Sequence, residues 1–215
     1  MAKKYKNVVD CFSRGERYRL HQMLNLCTSK SQCVDGIEIA QNGKRCKCCL
    51  PSCSKDVFGI AVNINAHQRR IPKTVLGSFE SVVRSLSFST GFTDFEDLYE
   101  YVSKHSGLKK KNCLLVYDFC LRKGYHLNPQ ILPDKYVYLF QGAKEGAKAV
   151  LGKSYRGFRL PTAMLQRALN TKMKSFEIEH LLCVCKPHLD YLGPIDKAEL
   201  VKLESMYLAK RIRAI

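Results

Sequence analysis

The sequence predicts a mainly α-helical chain carrying a small cysteine-rich N-terminal unit with a short β-hairpin. Three observations predict it. Beyond residue 72, apolar residues recur with helical spacing, as at Phe95, Leu98, Tyr99 and Val102. Six cysteines fall within the 27 residues from Cys27 to Cys53. Between them, the turn signals Asp35-Gly36 and Asn42-Gly43 flank the short apolar run Ile37-Glu38-Ile39-Ala40. The expected domains are residues 1–72, a basic cysteine-rich unit, and residues 73–215, a helical domain.

The 215 residues are 46% hydrophobic and 26% charged, enough to bury a sizeable core. No run approaches the roughly 18 consecutive apolar residues of a membrane span. The start, MAKKYKNVVDCF, has no apolar signal region, so a cytoplasmic location and no membrane partner are expected. Charge is the strongest bulk feature: 36 Lys and Arg against 19 Asp and Glu, net +17. Such an excess favours a polyanionic partner, nucleic acid before an anionic membrane surface. The basic residues recur at 14–19, 44–47, 69–73, 104–111, 144–159 and 167–174. A disordered arm would hold one such cluster; six describe a folded protein with a basic face.

Residues 1–26 read as a basic amphipathic helix, with Arg14, Arg17 and Arg19 around Tyr18, Leu20, Met23 and Leu24. The cysteines then run Cys27, Cys33, Cys46, Cys48, Cys49 and Cys53. Eleven cysteines in a chain expected in a reducing compartment point to metal or redox chemistry rather than a disulfide framework. Zinc takes four soft ligands in a tetrahedron, usually as close pairs. Cys46 and Cys49 form such a pair, and Cys33 and Cys53 complete the candidate set for a structural zinc ion. Which four of the six serve stays open, as does a cluster of plain buried thiols.

Val57 to Ile64 is strand-like, and Pro72 marks the boundary. Leu76, Phe79, Val83 and Leu86 give the next helix. A capping box of Thr93 and Glu96 starts another, which Ser106-Gly107 stops. A further helix runs from about Asn112 to Lys123, with Leu114, Tyr117 and Leu121 on one face and Gly124 closing it. After the aromatic-rich Tyr136 to Phe140, the small residues Gly142, Gly146 and Ala149 share one helical side. That side permits close backbone packing; Lys144 and Lys148 would alternatively attend a phosphate at the helix start. Short helices at Pro161–Leu169 and Phe176–Cys185, and a terminal one capped by Asp196, complete the chain.

The two helices joined by Gly107-Leu108-Lys109-Lys110-Lys111 resemble a helix-hairpin-helix nucleic-acid-binding motif. In that family a Gly-hydrophobic-Gly turn presents backbone N–H groups to a phosphate. Gly107 matches the first glycine, Leu108 the hydrophobic residue and Cys113 the small packing residue, whereas Lys109 replaces the second glycine. The resemblance implies DNA, ahead of RNA, held at Gly107, Leu108, Lys109, Lys110 and Lys111. An ordinary helical corner with solvated lysines is the alternative. The segments LLVYDFCLRKG, LPDKYVYLFQGAKEGAKAVLG, RLPTAML and FEIEHLLCV also resemble a bacterial protein family without an assigned activity.

The hairpin raises an enzymatic alternative, a glycosylase-like or nuclease-like activity on DNA or RNA. Its nearest acids are Asp118, spaced as a helical partner for Arg122, and Asp134, placed as a turn residue. The six histidines are scattered singly, and no catalytic constellation is recognisable. A protein–protein adaptor with an acidic partner is the third reading.

Overall fold

The computed structural model describes residues 4–25, 33–34, 37–38, 75, 78–79, 81–82, 85–86, 88, 91–108 and 114–208. As expected, the chain is mainly helical. The order is α1 (Lys6–Arg14), α2 (Glu16–Asn25), β1 (Cys33–Val34), β2 (Ile37–Glu38), α3 (Phe95–His105) and α4 (Leu114–His126). Then come β3 (Tyr136–Tyr138), α5 (Gln141–Leu151), β4 (Arg159–Pro161), α6 (Thr162–Leu169), α7 (Ser175–Val184), α8 (Lys186–Leu192) and α9 (Lys197–Tyr207). The chain divides into two compact units, one of Met1–Arg19 with Pro133–Ile215, the other of Leu20–Leu132. The boundary expected at residues 72–73 lies outside the described residues, as does the strand-like run 57–64.

In the discontinuous unit, α1 is more than a surface helix. It buries Val9 and Phe12, with Tyr5 just before it, in the same cluster as Val137, Val150, Leu160, Met164, Leu181 and Leu189. The single N-terminal helix expected from the sequence is broken at Gly15. The Tyr5 hydroxyl donates to the Gly193 carbonyl at 2.7 Å, tying the first turn to the α8–α9 connection.

β3 and β4 form an antiparallel ribbon in the register Tyr136↔Pro161, Val137↔Leu160 and Tyr138↔Arg159. Flanking bonds extend it: Leu139 N–H to Phe158 O at 2.6 Å and Thr162 N–H to Lys135 O at 2.9 Å. Because side chains alternate along a strand, the pair Val137 and Leu160 faces the core together. The Ser175 hydroxyl donates to the Tyr136 carbonyl, pinning the ribbon to α7.

α5 lies close against α7. A methyl group on Gly146 would overlap the Leu182 carbonyl of α7, and one on Gly142 would lie 2.5 Å from the Cys183 sulfur. The small-residue side of α5 thus packs helix on helix. The helix ends at Gly152, whose φ of +74° is the left-handed cap conformation that glycine accepts without strain.

On α7, Glu177 is fully buried but well served. It accepts from its own cap amide, Lys174 N–H, at 2.7 Å and from Arg17 Nε at 2.7 Å. Two residues on, Glu179 is also buried, and burial pushes its carboxyl up to about 8. Val184 is exposed, because α7 ends there and the chain turns into α8.

In the other unit, α3 buries Phe95, Leu98, Tyr99 and Val102, the stripe read from the sequence. Its cap falls one residue later than expected. Asp94 accepts from Asp97 N–H at 3.0 Å, and Thr93 donates its hydroxyl and its amide to Asp97. The Asp97 carboxylate thereby reaches back to residue 93.

α4 is buried on every side from Leu115 to Gly124, not along one face. Asp118, Arg122 and Lys123 are buried with it, and Lys123 Nζ sits 4.5 Å from the centre of the Phe88 ring. The Phe119 ring meets Phe79 edge to face and Phe88 at a tilt, each pair of centres within 6 Å. Gly124 does not close the helix, which runs on to His126. It serves instead as a point of close packing, because a methyl group there would overlap the Ile131 carbonyl that follows the loop.

Two substitutions probe this packing and burial. Gly146→Ala forces backbone apart in a packed core and is expected to lower the urea midpoint by an amount worth about 1–3 kcal/mol or more. For Glu179, the folded-state carboxyl titrates above its unfolded value of roughly 4.3. Folding therefore takes up a proton between about pH 4 and pH 8, and stability falls as pH rises through that window. Glu179→Gln should stabilise the protein at pH 8 and change little at pH 4. Equilibrium urea unfolding at both pH values measures the difference.

Candidate nucleic-acid interface

The predicted hairpin site is seen on its first side. α3 closes with Ser106 N–H bonded to Val102 O at 2.8 Å, and Gly107 then takes φ +66°. Among the described residues a side chain at Gly107 would meet no atom within 4 Å, so it is the positive φ of the backbone that favours glycine there. Leu108 N–H turns back to the Ser106 hydroxyl at 3.3 Å, and Leu108 is half-buried. Lys109, Lys110, Lys111 and Cys113 lie outside the described residues. The second helix is described from Leu114 onward.

Lys144 and Lys148 stand on α5 one turn apart, Lys148 exposed and Lys144 partly so. Among the described residues neither forms an ion pair. Several other cations of the same unit are already engaged. Lys6 pairs with Asp10 at 2.8 Å, Lys186 with Asp190 at 2.5 Å, Lys153 with Glu204 at 2.5 Å, and Arg17 with Glu177. Burial alone would raise the Glu204 carboxyl; Lys153 and the Tyr155 hydroxyl outweigh it and hold the group below its usual value.

Sequence reasoning passed over two further basic features. A groove of about 370 Å³ runs along the C-terminal end of α6 and is lined by Gln166, Arg167, Asn170, Thr171, Lys172 and Tyr207. Both cations fall in the basic run at 167–174, which is the only signal the sequence offered. On the β3–β4 ribbon, Arg159 lies over three aromatic rings, 4.7 Å from the centre of Phe158, 5.5 Å from Tyr138 and 5.8 Å from Tyr136. The aromatic run at 136–140 was visible, but its partner strand was not.

The cysteine candidates divide differently. Cys33 opens β1, which pairs antiparallel with β2 in the register Cys33↔Glu38 and Val34↔Ile37. Cys46, Cys49 and Cys53 lie outside the described residues. Among the described residues no group of three or more His, Cys, Asp or Glu side chains is arranged to hold a metal ion. Cys185 and His188 line a cavity of about 410 Å³ with Cys11, Glu16, Val8 and Phe12. Burial, with smaller effects from Cys11 and Glu16, pushes the Cys185 thiol up to about 11.

The acids of the enzymatic alternative have structural places. Asp118 is buried within α4, and Asp134, exposed in the connection ahead of β3, accepts from Lys135 N–H at 2.6 Å. Among the described residues no helix is long and apolar enough to cross a membrane. No protein-family model, curated protein or solved structure matches the chain.

Proposed function

We propose that this chain is a cytoplasmic nucleic-acid-binding protein, of DNA ahead of RNA, that grips phosphates with a basic face and the Gly107 turn. The observation that carries the reading is charge. The chain holds a net +17, and carboxylates at 10, 177, 190 and 204 are already paired with neighbouring cations. Lys144, Lys148, Arg167 and Lys172 remain without an ion-pair partner among the described residues. A phosphate backbone neutralises such groups and releases its own counterions, which makes binding steeply salt-dependent. The left-handed Gly107 supports the hairpin part of the reading, because it turns the chain sharply ahead of a lysine run.

A structural zinc ion held by Cys33, Cys46, Cys49 and Cys53 belongs to the same proposal. A hairpin opening beside Cys33 is the usual way in which a small zinc site gathers its ligands. Elemental analysis of protein purified without chelator should find about one zinc per chain. Metal-free protein that is fully folded, with reactive thiols at 46–53, would remove this part.

Filter binding to single- and double-stranded DNA and RNA across a salt series tests the main reading. Lys109, Lys110 and Lys111→Ala should weaken binding to all sequences alike. They should also flatten the salt slope by roughly 0.9 for each duplex phosphate that is no longer neutralised. Gly107→Val leaves charge untouched but places a β-branched residue at positive φ, a strain on the order of 1–3 kcal/mol. Binding should fall with it too. If only the lysine changes matter while the fold is intact, the turn merely carries charge.

A further inference from the structure

We propose that the β3–β4 ribbon is a stacking site for unpaired bases, so that single-stranded nucleic acid is a preferred ligand. This rests on the nucleic-acid reading above and names the ligand class within it. The geometry begins with the register. Val137 and Leu160 face the core, so Tyr136, Tyr138 and Arg159 share the opposite face of the ribbon.

Tyr138 is buried and forms the floor, with the Phe158 ring meeting it edge to face at 5.8 Å. Tyr136, Phe158 and Arg159 are each partly exposed. The Arg159 guanidinium lies within 6 Å of all three ring centres, the range of cation–π attraction. The rings orient this cation without neutralising it, and among the described residues it has no carboxylate partner.

A flat guanidinium held between the partly exposed rings of Tyr136 and Phe158, over the buried Tyr138, offers a base both a stacking surface and a positive charge. Every base has a π-face, so such a surface binds without sequence preference. In a duplex those faces are covered by neighbouring bases, and only a single strand presents them. Arg156, exposed two residues before Phe158, supplies a charge for the backbone that runs past. Nothing in this arrangement requires the Gly107 turn, whose hold on a phosphate suits either kind of strand.

The test uses the full chain and labelled 20-nucleotide probes: oligo(dT), oligo(A) RNA and a DNA duplex of equal length, followed by fluorescence anisotropy. Arg159→Lys keeps the charge but removes the planar group, and Tyr136→Leu removes a ring. Each should weaken single-strand binding about tenfold, the order of one base stack, and leave duplex binding within about twofold. Because the chain has no tryptophan, Phe158→Trp adds a single reporter to the platform. Its emission should be quenched on adding oligo(dT) and not on adding duplex. Equal losses on both ligands, or unquenched emission from protein that binds oligo(dT), overturn the platform while nucleic-acid binding stands. Absence of binding to every probe by the wild-type chain overturns both.

Discussion

The fold of the discontinuous unit depends on how closely α5 lies against α7. The missing side chain at Gly146 lets one helix backbone reach the Leu182 carbonyl of the other, a distance no other residue permits. That approach sets where everything else on α5 falls. Ala143, Ala147, Val150 and Leu151 are buried beside it. The Val150 carbonyl then accepts from Ile195 N–H at 2.8 Å, so the connection to α9 is anchored on α5 as well. Tyr5 closes the circle from the other end of the chain, through Gly193. An added methyl group at Gly146 would be felt through all of these elements, because interiors are packed too tightly to absorb a shift.

α7 shows how the same helix handles two buried acids in opposite ways. Glu177 keeps its charge useful: a cap amide and the Arg17 guanidinium both donate to it. Pairing a buried carboxylate with Arg recovers part of its desolvation, and removing either partner leaves an uncompensated charge. Glu179 lies two positions on, on another side of the helix, and burial alone acts on it. It is held more easily as the neutral acid. The first acid ties residue 17 to a helix 160 positions later; the second makes that helix sensitive to pH.

Helical periodicity was legible wherever a helix has one wet side. The stripe of α3, the small-residue side of α5 and the Asp196 cap all follow from local spacing. α4 was misread as one-sided because its polar residues Asp118, Arg122 and Lys123 look solvent-facing, although each is buried. Burial of that kind is a tertiary property and leaves no period in the sequence. Gly124 and Gly107 illustrate the same limit from two directions. Both read as helix stops; one has the left-handed conformation of a stop, and the other is a point of close packing inside a helix. The Arg159 cluster needed the strand register, since Tyr136 and Tyr138 stand more than twenty positions before their partner. Arg17 and Glu177 were missed for the same reason.

The remaining constraint is electrostatic. A carboxylate that pairs with a near neighbour, as Asp10 does with Lys6 and Asp190 with Lys186, is a local device on a helix surface. Such exposed pairs contribute little to stability. Their larger effect is on the field they leave behind, because an acid used locally no longer screens cations elsewhere. Lys144, Lys148, Arg156, Arg167 and Lys172 then repel one another in the folded state more than in the expanded one. On the nucleic-acid reading proposed above, a polyanion that bridged them would relieve that repulsion and bind the folded chain in preference to the unfolded one. Under that proposal binding and stability would be linked, the folded state gaining free energy as the logarithm of one plus the ratio of free ligand to its dissociation constant. Screening salt acts on both sides of this balance. It relieves the repulsion in the free protein and weakens the hold on the ligand, so the gain in stability from a polyanion is greatest where salt is lowest.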